Sequence, residues 1–314
     1  STIAGYIDNE FIGTAPNAQF YLFVTEDAGS ETPLEESLWV EAAERAHSVG
    51  VDIINTSLGY TTFDNPSYNY SYADMDGETT FISRGAEIAC SRGMVLVTSA
   101  GNSGMSSWKY ISAPADAYSV LTIGAVNQNE VIAPFSSFGP TADNRVKPDV
   151  LAQGQNVYVI NSDGNIATSN GTSFSGPIMA GMVACLWQAF PYKSAEEIKQ
   201  LIVQSADLYT IPTAQRGYGI PDFEAIYNLL SIEVNEFLEI RIYPNLVEDK
   251  LHFDFKSSTS VLSIKIVDLL GVVLFKKQIF PSNAKIDVSF LKNGMYMVEI
   301  RSEEKLKTLK IIKK

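Results

Sequence analysis

Up to about residue 230 the apolar residues fall into short unbroken runs, separated by stretches of helical period, and beyond that they alternate with polar ones. The runs at 20–24, 51–55, 94–98 and 119–125 are each short enough, and apolar enough, to predict a strand buried on both faces. Thr32-Pro33-Leu34-Glu35 is a capping box with proline at the first helical position. The stripe Leu34, Leu38, Ala42, Ala46 and Val49 then predicts a helix over 33–49. Residues 78–92 predict a second helix, and strand, helix, strand in this order predicts a right-handed parallel crossover. Residues 1–6 read as the end of a helix and Gly13 to Pro16 as a turn. Residues 157–160 and 166–168 read as a hairpin. The run 178–190 is apolar on nearly every side, as in a buried helix. Ser194, with Glu197 three residues on, caps a helix to 206, and a last helix ends near Leu230. From 237 the chain reads as seven short strands: 239–243, 250–255, 261–269, 272–279, 284–288, 294–301 and 306–312. The expected architecture is an α/β fold over 1–232, doubly wound and mainly parallel with helices on both faces. A small all-β sandwich is expected over 237–314.

Charge sharpens that boundary. The net charge is −13, but residues 1–234 hold 9 basic and 26 acidic side chains while 235–314 hold 14 and 10. An acidic larger part argues against nucleic acid as a partner. No apolar run is long enough for a transmembrane segment, and no secretory signal stands at the start. Because residue 1 is Ser, a processed form or a fragment is expected. Cys90 and Cys185 each fall in an apolar helical pattern and read as core side chains rather than as a disulfide or a metal site.

The chemistry concentrates at Asn170-Gly171-Thr172-Ser173-Phe174-Ser175-Gly176-Pro177. Small residues surround Ser173 at the start of the buried helix, and Pro177 suits a first turn. Free N–H groups and the positive helix end there favour developing negative charge. On its own the stretch fits a helix cap as well as a nucleophile. Ser99-Ala100-Gly101-Asn102-Ser103-Gly104 follows the third strand, where small residues allow backbone to approach a ligand. In isolation Asn102 reads equally as a turn residue. Asp74, Asp76 and Glu78 lie close together in a tyrosine-rich loop. Calcium is possible there, but the ligand pattern is incomplete, and no other cofactor and no metal ligand is expected.

Four segments in the right order resemble the subtilases, the subtilisin-like serine peptidases. They are Ile54 to Gly59, Thr98 to Gly104, Phe135-Ser136-Ser137-Phe138-Gly139-Pro140, and Asn170 to Pro177. The resemblance runs over about residues 1–230. It implies a serine endopeptidase with Ser173 as nucleophile, acting through an acyl-enzyme, and Asn102 as side-chain oxyanion donor. It implies that Ser57, Leu58 and Gly59 pair with substrate backbone, that Ser99, Ala100 and Gly101 wall the primary specificity pocket, and that Thr172 also binds substrate. The expected partner is a peptide or protein.

One part of the pattern is missing. Subtilases order their triad aspartate, histidine, serine, with the histidine in a His-Gly-Thr motif just before the turn at Gly13. Only His47 and His252 occur, neither followed by Gly-Thr. Asp8, His47 and Ser173 fall in triad order, but His47 lies at the end of helix 33–49 that should point away from the carboxyl ends of the strands. The aspartate and histidine are therefore expected upstream of Ser1, and the chain as it stands is expected to be inactive. The competing reading is a non-catalytic subtilase-like module that binds peptides or stabilises an assembly, and a His-Gly-Thr motif upstream separates the two. Finally, Ile242-Tyr243-Pro244-Asn245, Asp268-Leu269-Leu270-Gly271 and Leu291 to Val298 resemble the C-terminal sorting domain of the type IX secretion system. That resemblance implies a protein secreted or held at the cell surface, with the secretion machinery as partner.

Overall fold

The computed structural model describes residues 1–238, 241–254, 262–269, 271–280, 285–302 and 305–314. Glu239, Ile240, Phe255, Val261, Leu270 and Ala284, within the expected C-terminal strands and motifs, lie outside the described residues. The contacts divide the chain into two compact units, 1–226 and 227–314.

The first unit is built on four parallel strands in consecutive order: β3 (Ile53–Thr56), β4 (Val95–Ser99), β5 (Leu121–Val126) and β6 (Val150–Gln153). Strands β4 and β5 are buried along their whole length, which is why they read as unbroken apolar runs. Its helices are α1 (Pro33–Ser48), α2 (Phe81–Ser91), α3 (Thr172–Ala189) and α4 (Ala195–Gln204), and α5 (Phe223–Leu238) starts in this unit and continues into the second from Tyr227. The expected capping boxes of α1 and α4 both form. Two hairpins complete the unit: β1 (Tyr6–Ile7) with β2 (Phe11–Ile12), and β7 (Val157–Ile160) with β8 (Ile166–Ser169). The start is a single helical turn, closed by Gly5 N donating to Ser1 O, leading into β1.

Three expectations fail here for physical reasons. Residues 20–24 form no strand, and Leu22 and Val24 are 90% and 91% exposed. A strand forms only where a neighbour takes up its N–H and C=O groups, and this run has none, so the first crossover does not close. In α1 the buried face carries Glu35, Glu36, Trp39, Ala43 and Ala46, while Leu34 points outward. Trp39 sets that phase, donating its indole N–H to Thr56 Oγ1 at 3.1 Å. Helix α3 is not covered on every side, and Cys185 is exposed with its thiol against Thr14 O. The places left open coincide. Residues 14–23, Thr25, Ala42 of α1, Val49 just after it, β3, and Ala184, Cys185 and Gln188 of α3 line one cavity of about 740 Å³.

β6 was not expected from the pattern, and a buried ion pair marks its start. Lys147 Nζ donates to Asp149 Oδ2 at 2.6 Å, Val120 O at 3.0 Å and Thr122 Oγ1 at 3.0 Å, and Thr122 N donates to the same carboxylate at 2.7 Å. The pair therefore ties β5 to the entry of β6. Burial holds the Lys147 ammonium down at about 8 despite its counter-charge.

The second unit has a five-stranded sheet with order β10-β16-β15-β12-β13 and a three-stranded sheet with order β14-β11-β9. The strands are β9 (Arg241–Tyr243), β10 (Leu246–Val247), β11 (Lys250–Asp254), β12 (Leu262–Val267), β13 (Val273–Ile279), β14 (Lys285–Asp287), β15 (Gly294–Ser302) and β16 (Lys305–Lys313). Leu251 and Ile286 of the smaller sheet join Ile264, Ile266, Val298, Ile300 and Ile311 of the larger in one buried core. Two sheets sharing one core make a sandwich, as the alternating pattern requires.

Candidate active site

Helix α3 begins on Gly171, whose φ of +146° is open to glycine and strained for any other residue. The N–H of Gly171 donates to Gly154 O at 2.8 Å, seating the turn beyond the carboxyl end of β6. Thr172 is the first helical residue and is fully buried. Its N–H donates to Asn102 Oδ1 at 2.9 Å, its hydroxyl donates to the same oxygen at 3.1 Å, and Gly101 N donates to that hydroxyl at 3.2 Å. Three hydrogen bonds thus clamp the loop after β4 to the first turn of α3. Ser173 follows at once and is half-buried. Asn102 is exposed, and because its oxygen is committed to Thr172, its Nδ2 has no partner among the described residues. The Ser173 N–H, in the first helical turn, also makes no hydrogen bond among the described residues. Two free donors, the Ser173 N–H and Asn102 Nδ2, therefore lie at the first turn of an 18-residue helix, its positive end.

Pro177 is not in the first turn as expected but is the sixth residue of α3. Its missing N–H leaves Ser173 O without an intrahelical donor, and Ser57 Oγ lies 3.4 Å from that oxygen in donor geometry. The hydroxyl of Ser99 donates to Thr172 O at 2.8 Å, so its side chain holds α3 while its backbone continues toward Gly101. Ala100 is fully buried against Ile111 and Ala115. Beyond Ser57, the backbone groups of Leu58 and Gly59 carry no hydrogen bond among the described residues, until Tyr60 N donates to Ala113 O at 2.8 Å. That leaves a short open edge beside Ser173 on which an extended chain can pair. The sequence names Asn102, Ser173 and Ser57 as candidates but does not show the clamp, because nothing in the pattern says that the Thr172 side chain turns inward.

Neither histidine is hydrogen-bonded to Ser173 among the described residues. His47 sits exposed in the last turn of α1, and no hydrogen bond joins it to Asp8 or Ser173 among the described residues. His252 belongs to β11 of the second unit, stacked on Tyr243 with ring centroids 5.3 Å apart. The acidic loop does not converge on a cation. Asp74 accepts from Ser71 N and Oγ, and Asp76 from Glu78 N, Thr79 N and Thr79 Oγ1. Among the described residues no group of three or more His, Cys, Asp or Glu side chains could hold a metal ion, and no helix is long and apolar enough to cross a membrane.

A parallel sheet carrying a serine at the head of a central helix, with a carboxamide clamped beside it, defines a class before any comparison. Residues 1–220 match the family model described as the subtilase family, and the chain belongs to that family. Residues 241–314 match a secretion system C-terminal sorting domain. Subtilisin DY of Bacillus licheniformis is 33% identical over 62% of this chain and 63% of its own length. Serine protease AprX of Bacillus subtilis is 32% identical over 50% of this chain and 38% of its own. The chain thus spans less than two thirds of either relative. The self-cleaved protease domain of PatA shares the fold, with a TM-score of 0.59 and 23% identity over 73% of this chain and 80% of that one.

Proposed function

We propose that residues 1–232 are the peptidase domain of a secreted serine endopeptidase and that Ser173 forms the acyl-enzyme. The observation that carries this reading is the pair of unsatisfied donors, Asn102 Nδ2 and Ser173 N–H, held beside one hydroxyl by the Thr172 clamp. In the reaction Ser173 Oγ attacks the scissile carbonyl, and the two donors take up the charge that develops on the carbonyl oxygen. The edge at Ser57, Leu58 and Gly59 holds the substrate chain extended, and the backbone of Ser99, Ala100 and Gly101 walls the pocket for its side chain. The hydroxyl proton needs an acceptor, and the histidine and its aspartate belong to residues preceding Ser1.

The cavity supports that last assignment. It exposes an apolar run with strand character on one side, the free edge of β3 on another, and the thiol face of α3 at its base. A chain segment entering there would complete the sheet and cover α3. Residues 237–314 then serve as the address read by the type IX secretion machinery, which places the protein outside the cell or on its surface.

The test compares residues 1–314 with the protein carrying its preceding residues, on a fluorogenic peptide library. Hydrolysis is expected only in the longer form and is lost in Ser173→Ala. An inert, folded longer form, or activity that survives Ser173→Ala, would sink the reading. Deleting 241–314 is expected to leave the protein inside the producing cell.

A further inference from the structure

The segment Phe135 to Pro140 packs against the loop that carries Asn102 and holds that loop on both sides of the carboxamide. Before Asn102, Ser137 N donates to Gly101 O at 2.9 Å. After it, Ser103 N donates to Ser137 Oγ at 2.9 Å. One serine thus takes the backbone on either side of Asn102, through its own N–H and its hydroxyl oxygen. One residue further on, Gly104 N donates to Phe135 O at 2.8 Å. The two segments meet with no room for a side chain between them. A Cβ built on Gly101 would lie 2.9 Å from Ser137 Oγ, and one built on Gly104 would lie 2.4 Å from Ser136 O and 2.6 Å from Pro134 O. Gly104 is outside the left-handed region, so it is this contact and not its own backbone that requires glycine there. The seat itself is fixed. Ser136 and Ser137 are 3% and 1% exposed, and Ser136 Oγ accepts from Ala125 N at 3.0 Å, tying the turn to β5. Thr172 therefore holds the Asn102 side chain from α3, while Ser137 holds its backbone from the sheet.

We propose that Ser137 is a positioning residue for the oxyanion donor Asn102, and that the turn 134–137 sets where Asn102 Nδ2 meets the substrate carbonyl. The inference rests on the peptidase reading above and adds the group that steadies its donor. A donor has to be in place before the charge develops, because moving it at the transition state costs rate. Ser137 acts only through Asn102 and touches no reacting atom.

The test is a double-mutant cycle in the protein carrying its preceding residues, on one fluorogenic peptide. Ser137→Ala is expected to lower kcat by about tenfold, less than the roughly 10²-fold that a misplacement of about 1 Å can cost, with KM within about twofold. In the Asn102→Ala background the same substitution is expected to change kcat by less than about twofold, because the group it positions is already gone. Gly104→Ala leaves Ser137 intact and lifts the other end of the loop; it is expected to show the same dependence on Asn102, and it carries the cycle if Ser137→Ala does not fold. In residues 1–314, where no activity is needed, Ser137→Ala is expected to speed hydrogen exchange at the Ser103 N–H by roughly fivefold, the scale of one lost hydrogen bond. A loss of equal size with and without Asn102, kcat unchanged in both variants, or unmoved exchange at Ser103 overturns this inference and leaves the peptidase reading intact. If the unmodified longer protein cleaves no peptide, the peptidase reading fails and takes this inference with it.

Discussion

Replacing Thr172 by Val isolates the clamp that holds the proposed oxyanion donors. Valine keeps the volume and the backbone N–H, so the 2.9 Å bond to Asn102 Oδ1 can persist. It removes the hydroxyl that accepts from Gly101 N at 3.2 Å and donates to Asn102 Oδ1 at 3.1 Å. About 1 kcal/mol for the hydroxyl's bond to Asn102 and about 1–2 kcal/mol for stranding the Gly101 N–H put the loss at about 2–3 kcal/mol. In a unit the size of residues 1–226 this lowers Tm by roughly 4–10 °C. The readout is selective, because Trp39, Trp108 and Trp187 all lie in that unit, so tryptophan fluorescence in a urea or thermal ramp follows it. Thr172→Ser restores the hydroxyl and is expected to recover most of the loss. On the proposed reading, in protein carrying its preceding residues, Thr172→Val should lower kcat more than it raises KM, since the proposed donors act on the charge of the transition state. A Thr172→Val protein within about 0.3 kcal/mol of the original would refute the clamp, because isosteric loss of buried hydrogen bonds leaves no such option.

Asn102→Ala in the longer form is expected to lower kcat by roughly 10²–10³, the loss established for the corresponding donor in a subtilisin, with KM nearly unchanged. Asp149→Asn strands the Lys147 ammonium and should lower stability at pH 7 by about 3–5 kcal/mol, measured by urea unfolding. The Lys147 folded value of about 8 lies below its ordinary 10.5, so between those values the unfolded chain holds a proton that the folded chain has released, and stability from this group rises with pH. Losing Asp149 lowers the folded value further, so the deficit should be smaller at pH 10 than at pH 7. A disulfide reagent should react quickly with one thiol in residues 1–314, the exposed Cys185, and slowly with Cys90, whose thiol burial pushes up to about 12. In the longer form Cys185 should be protected; equal rates in both forms would argue against a segment filling the cavity.

The fold was legible where local pattern and tertiary demand agree. Val95 to Ser99 and Leu121 to Val126 are apolar throughout because parallel strands covered on both faces have no polar side to show. Lys250 to Asp254 alternates because one face of the sandwich is wet. The capping boxes of α1 and α4 were readable because they depend on residues three apart. What pattern could not reach depended on partners distant in sequence. The phase of α1 is fixed by Trp39 meeting Thr56, seventeen residues on. Lys147 and Asp149 look like surface charges until Thr122 and Val120 arrive from another strand. The inward turn of Thr172 depends on Asn102, seventy residues earlier.

The run at 20–24 joins these two lessons. Its composition is that of a buried strand, and in residues 1–314 it lies exposed beside the unpaired edge of β3. A sequence selected to be buried and found in water marks a surface that some partner covers, since Leu22 and Val24 gain nothing from exposure. Three independent surfaces face the same cavity: this run, the Ala42 and Val49 side of α1, and the Cys185 side of α3, which also reads from sequence as buried. A single extended segment can satisfy all three, pairing its backbone with β3 and laying side chains on α3. A segment that paired with β3 would thus also lie close to the helix on which Ser173 sits, so the proposal that the proton acceptor comes from outside residues 1–314 and the exposed cavity are tested by the same Cys185 protection measurement.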